Sequence, residues 1–111
     1  MGNALERSLL MLSSVEFQNE NIVFGSSEEY VVIDELIDDA IYLIGRELLS
    51  RRHDGDNQEK FEELQYLLKC RCAEMDGMSN YYVINNSQFW RYVRDLSGDI
   101  IFSINKNAPR R

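Results

Sequence analysis

Apolar residues recur at helical spacing almost from the start of this chain. Leu5, Ser8, Leu9 and Leu12 share one face of a helix predicted over residues 4–16, and Leu10, Met11 and Val15 widen that face. The polar run Gln18-Asn19-Glu20-Asn21 ends it. Ile22-Val23-Phe24 is then a short apolar segment, open to strand or buried loop. Ser26 with Glu29 fits the S-x-x-E capping box, so a second helix is expected from there to about Ser50. Its inward face is Ile33, Leu36, Ile37, Ala40, Ile41, Ile44 and Leu48. Gly45 weakens its last turn by about 1 kcal/mol of propensity. Asp56 with Glu59 opens a third helix, striped by Phe61, Leu64, Leu68, Cys72 and Met75. Asp76-Gly77 stops it, with Gly77 as a left-handed cap.

The aromatic and β-branched run Tyr81-Tyr82-Val83-Ile84 reads as extended. Asn86 or Ser87 caps a fourth helix through Leu96, with Phe89, Tyr92, Val93 and Leu96 inward and Gly98 at its end. Residues 99–104 are open to a strand or an anchored tail, and 105–111 to a frayed basic end. The expected fold is mainly α: one domain over 1–111, a bundle of about four helices. Segments 22–24, 81–84 and 99–104 are the candidates for a minor sheet.

Composition narrows the class. At 111 residues, 44% hydrophobic and 28% charged, the chain is a single globular domain and not a disordered segment. It has no apolar run of about 18 residues, so no membrane span is expected. The opening residues lack a basic secretory n-region. Gly2 is followed by Glu6 where a myristoylation signal wants Ser or Thr. Cys70 and Cys72 point to nearly opposite sides of a helix, so they are read as reduced thiols in a cytoplasmic protein.

Charge is the uneven feature. Residues 1–50 carry ten acids and two bases, a net −8, whereas residues 51–111 carry nine acids and ten bases. Between Arg7 and Arg46 there is no Lys or Arg, while eight acids fall there. On the second helix Asp34, Glu35, Asp38 and Asp39 lie opposite the apolar face, with Tyr42 near the centre of the group. Their i,i+3 and i,i+4 repulsions cost about 1 kcal/mol in all. Only Arg46 lies further along that face. The cost becomes productive when a cationic partner meets the cluster, and Tyr is favoured at interface cores. The plain alternative is a solvated acidic surface kept for solubility.

Other chemistry finds little material. Paired carboxylates do acid–base work when buried in a pocket wall, and these lie on the wet side of an amphipathic helix. His53-Asp54-Gly55-Asp56 fails the calcium-loop spacing, since the sixth and twelfth positions counted from Asp54 are Glu59 and Gln65. Cys70-Arg71-Cys72 has no second ligand pair for a metal. The lone His53 would have to build any nucleophilic site on a turn. No cofactor, metal or catalytic set is expected. A net charge of −7 also argues against direct nucleic-acid binding.

Five aromatics lie within residues 81–92: Tyr81, Tyr82, Phe89, Trp90 and Tyr92. Phe89 and Tyr92 are read as a satellite core. Trp90 falls off the inward stripe, and one of Tyr81 and Tyr82 is expected to face out. The acidic helix beginning Ser26-Ser27-Glu28-Glu29, followed later by Tyr81-Tyr82, resembles the immunity proteins of nuclease colicins over about a quarter of the chain. In size and acidity the chain is also similar to the wider class of bacterial toxin-immunity proteins, including those of contact-dependent inhibition systems. Here a whole helix separates the acids from the tyrosines, and no proline follows them.

The resemblance implies a non-enzymatic, stoichiometric inhibitor that covers the active or substrate-binding cleft of a basic toxin, a nuclease. Its partner-binding residues are Glu28, Glu29, Asp34, Glu35, Asp38, Asp39, Tyr42, Tyr81 and Tyr82. Charge steering would carry the on-rate toward about 10⁸ M⁻¹s⁻¹ at low salt. The alternative is a helical adaptor or regulatory subunit that binds through an apolar groove and uses its acidity only for solubility.

Overall fold

A computed structural model describes residues 3–23, 33–50, 55–70 and 77–107. The described residues form six α-helices and one π-helical turn. These are α1 (Asn3–Ser13), α2 (Val15–Gln18), the π turn (Asn19–Val23), α3 (Ile33–Ser50), α4 (Gly55–Lys69), α5 (Asn80–Asn86) and α6 (Gln88–Asn107). No strand occurs among them, so the expected minor sheet is not supported. The chain is mainly helical, as its periodicity predicts, with more and differently bounded helices than the four expected.

The four longer helices pack in closed order, α1 on α3, α3 on α4, α4 on α6 and α6 back on α1. Their inward faces supply most of one core. Leu5, Leu9 and Leu12 come from α1, Ile37, Ala40 and Ile44 from α3, Phe61, Leu64 and Leu68 from α4, and Val93 and Ile100 from α6. Apolar area removed from water at about 25 cal/mol per Å² is the main force holding these faces together. Leu10 and Val15, expected to widen the α1 face, are exposed instead.

The first helix does not run to residue 16. Ser14 takes an extended backbone, and its Oγ accepts the Phe17 N–H at 3.1 Å, so it ends α1 and caps α2. Gln18 then turns fully inward. Its Nε2 donates to the carbonyls of Met11 (2.9 Å) and Leu12 (2.7 Å), which α1 leaves unpaired at its end. Its Oε1 accepts from Trp90 Nε1 at 2.9 Å. Trp90, expected off the inward stripe, is therefore wholly buried. Ile22 enters the core from the π turn, while Phe24 lies outside the described residues.

Residues 81–84 are helical and not extended. Ser79 Oγ caps α5 by accepting the Tyr82 N–H at 3.1 Å, and Val83 and Ile84 are buried. Asn19 and Asn85 exchange amide hydrogen bonds at 2.8 and 3.1 Å, tying α5 to the π turn. Ser87 caps α6, as expected, accepting the Trp90 N–H at 3.2 Å. The helix continues through Gly98 to Asn107, so 99–104 is neither strand nor tail, and 105–107 are helical. Residues 108–111 lie outside the described part, as do the capping box at Ser26 and Glu29, the turn around His53, and Cys72. Gly77 has φ +79°, the left-handed conformation expected of it.

Two contacts fix neighbouring helices. Ser103 Oγ donates to the buried Asn57 Oδ1 at 2.8 Å, joining the end of α6 to the start of α4. Gln65 Nε2 reaches the Ile41 carbonyl at 3.3 Å, and a Cβ at Gly45 would stand 3.2 Å from the same nitrogen. The glycine that weakens α3 thus admits Gln65 from α4.

Candidate functional site

The outer face of α3 follows from its inner one. With Ile33, Leu36, Ile37, Ala40 and Ile44 committed to the core, Asp34, Glu35, Asp38 and Asp39 are all exposed. Tyr42 is 62% exposed, and the Arg46 guanidinium stands 5.8 Å from its ring centroid. That distance is within reach of a cation–π contact, which favours the exposed position of the ring. Asp34 and Glu35 sit in the first turn of α3 as described, where the helix dipole favours them.

Arg7 adds a base that local spacing does not reveal. It lies on α1, and α1 packs against α3. Arg7 and Asp39 line one groove of about 320 Å³ together with Ala4, Ser8, Met11 and Leu43. Ser8 is buried and its hydroxyl has no hydrogen-bond partner among the described residues.

The remaining candidate residues fall elsewhere. Glu28 and Glu29 lie outside the described residues. Tyr81 and Tyr82 belong to α5, whose main packing partners are α6, the π turn and α2, whereas those of α3 are α4 and α1. Both tyrosines are exposed, at 58% and 48%. An extended segment would have turned one of them inward, whereas a helix places adjacent residues about 100° apart.

A second group of exposed acids lies on α4 and α6. On α4, Glu59, Glu62, Glu63 and Tyr66 are exposed, as are Tyr92, Asp95 and Asp99 on α6. Tyr92, expected inward, is about half exposed, and its hydroxyl donates to Glu63 across the two helices. That hydrogen bond, then partial desolvation, then the charges of Glu63 and Asp99, raise the Tyr92 phenol above its ordinary 10.0. Five bases share these two helices, Lys60 and Lys69 on α4 and Arg91, Arg94 and Lys106 on α6, so the near-neutral total of residues 51–111 does not single out these acids. The i,i+3 and i,i+4 spacing of the acids within α4 and within α6 was the available signal.

Among the described residues no group of three or more His, Cys, Asp or Glu side chains is placed to hold a metal ion. No helix among them is long and apolar enough to cross a membrane. Comparison with protein-family models, with curated proteins and with solved structures finds no match to this chain.

Proposed function

We propose that this protein is a stoichiometric inhibitor that acts in the cytoplasm and binds a basic protein through the outer face of α3. The observation that carries the reading is the grouping of Asp34, Glu35, Asp38 and Asp39 around an exposed Tyr42, on a helix whose other face is core. The carboxylates supply long-range attraction and orientation, and the tyrosine supplies contact area at low entropic cost. A cationic substrate-binding cleft, as in a nuclease toxin, is the complementary surface. That identification draws on the resemblance to immunity proteins. Tyr81 and Tyr82 form a separate contact area, used only by a partner large enough to reach α5 as well.

The test is affinity capture at low and at high salt, with wild type and with Asp34, Glu35, Asp38 and Asp39 neutralised together to Asn and Gln. The expected result is a basic protein that is released by salt, lost with the neutralised variant, and inhibited in its own activity at equal stoichiometry. A partner that resists salt and still binds the variant would instead support the adaptor reading, for which the apolar wall of the α1–α3 groove is the available surface.

A further inference from the structure

The groove between α1 and α3 carries more than apolar wall. Buried hydroxyls nearly always find a partner, and an unpaired one costs about 1–3 kcal/mol. Ser8 is only 2% exposed, lines this groove, and has no partner for its Oγ among the described residues. Ala4, Met11 and Leu43 give the groove its apolar wall, with Asp39 on the α3 side and Arg7 on the α1 side. The groove itself holds one acid and one base, and Glu35 lies one turn before Asp39 on the same exposed side of α3, a second carboxylate on the approach.

We infer that this groove is a socket for a lysine side chain of the basic partner, an inference that rests on the inhibitor reading above. A lysine stem is four carbons of apolar surface and its head is a compact ammonium with three donors. The stem lies along Met11 and Leu43. The ammonium pairs with the Asp39 carboxylate and, once Met11 has moved aside to open the buried hydroxyl, donates to Ser8 Oγ, which has no partner among the described residues. Met11 is unbranched and adaptable, and it yields to admit the head group. Arg7 is exposed where it lines the groove, so solvent screens its charge. Arginine fits less well, because its planar fork favours a bidentate carboxylate, and here one acceptor is a hydroxyl.

The test is a titration of isotope-labelled protein with acetylated, amidated pentalysine, read by amide chemical shifts. Shifts are expected both at Glu35, Asp38 and Tyr42 and along residues 4–11 and Leu43. Ser8→Ala removes a hydroxyl that makes no bond among the described residues, so it should fold, and it should weaken the groove response about 3–10-fold. Arg7→Gln removes a like charge and should strengthen the response several-fold. Ala4→Trp, at an exposed position on the rim, should abolish the groove response and leave the acidic-face response intact.

Shifts confined to the acidic face would overturn the socket and leave the inhibitor reading standing. No shift at either place would count against both. Weakening by Arg7→Gln would mean that the groove takes an anionic group, and an unchanged response in Ser8→Ala would mean that the hydroxyl plays no part. Either result overturns the inference.

Discussion

At Gln18 three polar groups converge, the buried Leu12 carbonyl and Trp90 indole N–H and the part-buried Met11 carbonyl. Replacing Gln18 with Ala leaves all three without this partner. At about 1–3 kcal/mol per stranded group, with some relaxation, the expected loss is about 3 kcal/mol. Trp90 is the only tryptophan, so urea denaturation followed by its fluorescence measures the loss directly. A loss below about 1 kcal/mol would mean that the three groups are not held by this residue.

Tyr92 gives a second test at this scale. Its raised phenol favours the neutral form in the folded state, so its contribution to stability is complete below about pH 10. That contribution is lost as pH rises through the folded-state value. Phenolate absorbance of wild type minus Tyr92→Phe isolates this titration, and Glu63→Gln should bring it back toward the ordinary value. An unmoved midpoint in Glu63→Gln would rule out the hydrogen bond as the main cause. Neither role was legible in sequence. Gln18 reads as part of a polar run that ends a helix, and Tyr92 falls on an inward stripe until the true rotation of α6 is known.

The helices show where local signals suffice and where packing overrides them. Ser87 is a cap by residue type and is one in fact, so Ser87→Ala should cost about 1 kcal/mol, read as a shifted denaturation midpoint. The apolar stripes of α3 and α4 were legible because each repeats over several turns. Gly98 misled, since one glycine costs a helix only about 1 kcal/mol while Val93, Leu96 and Ile100 carry the buried stripe past it. A Cβ at Gly98 would meet only the Ser13 Cβ at 3.9 Å, an ordinary contact. Gly98→Ala should therefore stabilise the protein by about 0.5–1 kcal/mol in a denaturation experiment. Destabilisation would show that α1 and α6 pack more closely there than this geometry allows. In Tyr81-Tyr82-Val83-Ile84 strand propensity pointed the wrong way. A cap at Ser79 and burial of Val83 and Ile84 together outweigh a preference worth about 1 kcal/mol across its whole scale.

Across the whole molecule, the binding reading depends on where the charge lies and not on its total of −7. The first half of the sequence announces the α3 acids because no base is interleaved with them. The Tyr92–Glu63 contact between α4 and α6 stayed hidden because it joins residues 29 apart in the sequence, and the fold also brings Arg7 and Asp39 to one groove. Two sets of four exposed acids allow a controlled comparison. One variant neutralises Asp34, Glu35, Asp38 and Asp39; the other neutralises Glu59, Glu62, Asp95 and Asp99, sparing the Glu63 that holds Tyr92. Each removes four negative charges, so both change long-range attraction equally through net charge. If α3 is the docking face, the first variant should slow association with the captured partner about tenfold or more at low salt. The second should slow it only a few-fold, and the gap should close as salt shortens the screening length to about 3 Å near 1 M. Equal slowing by the two variants would show that the partner responds to overall charge alone, and α3 would then be no more than a solvated acidic face.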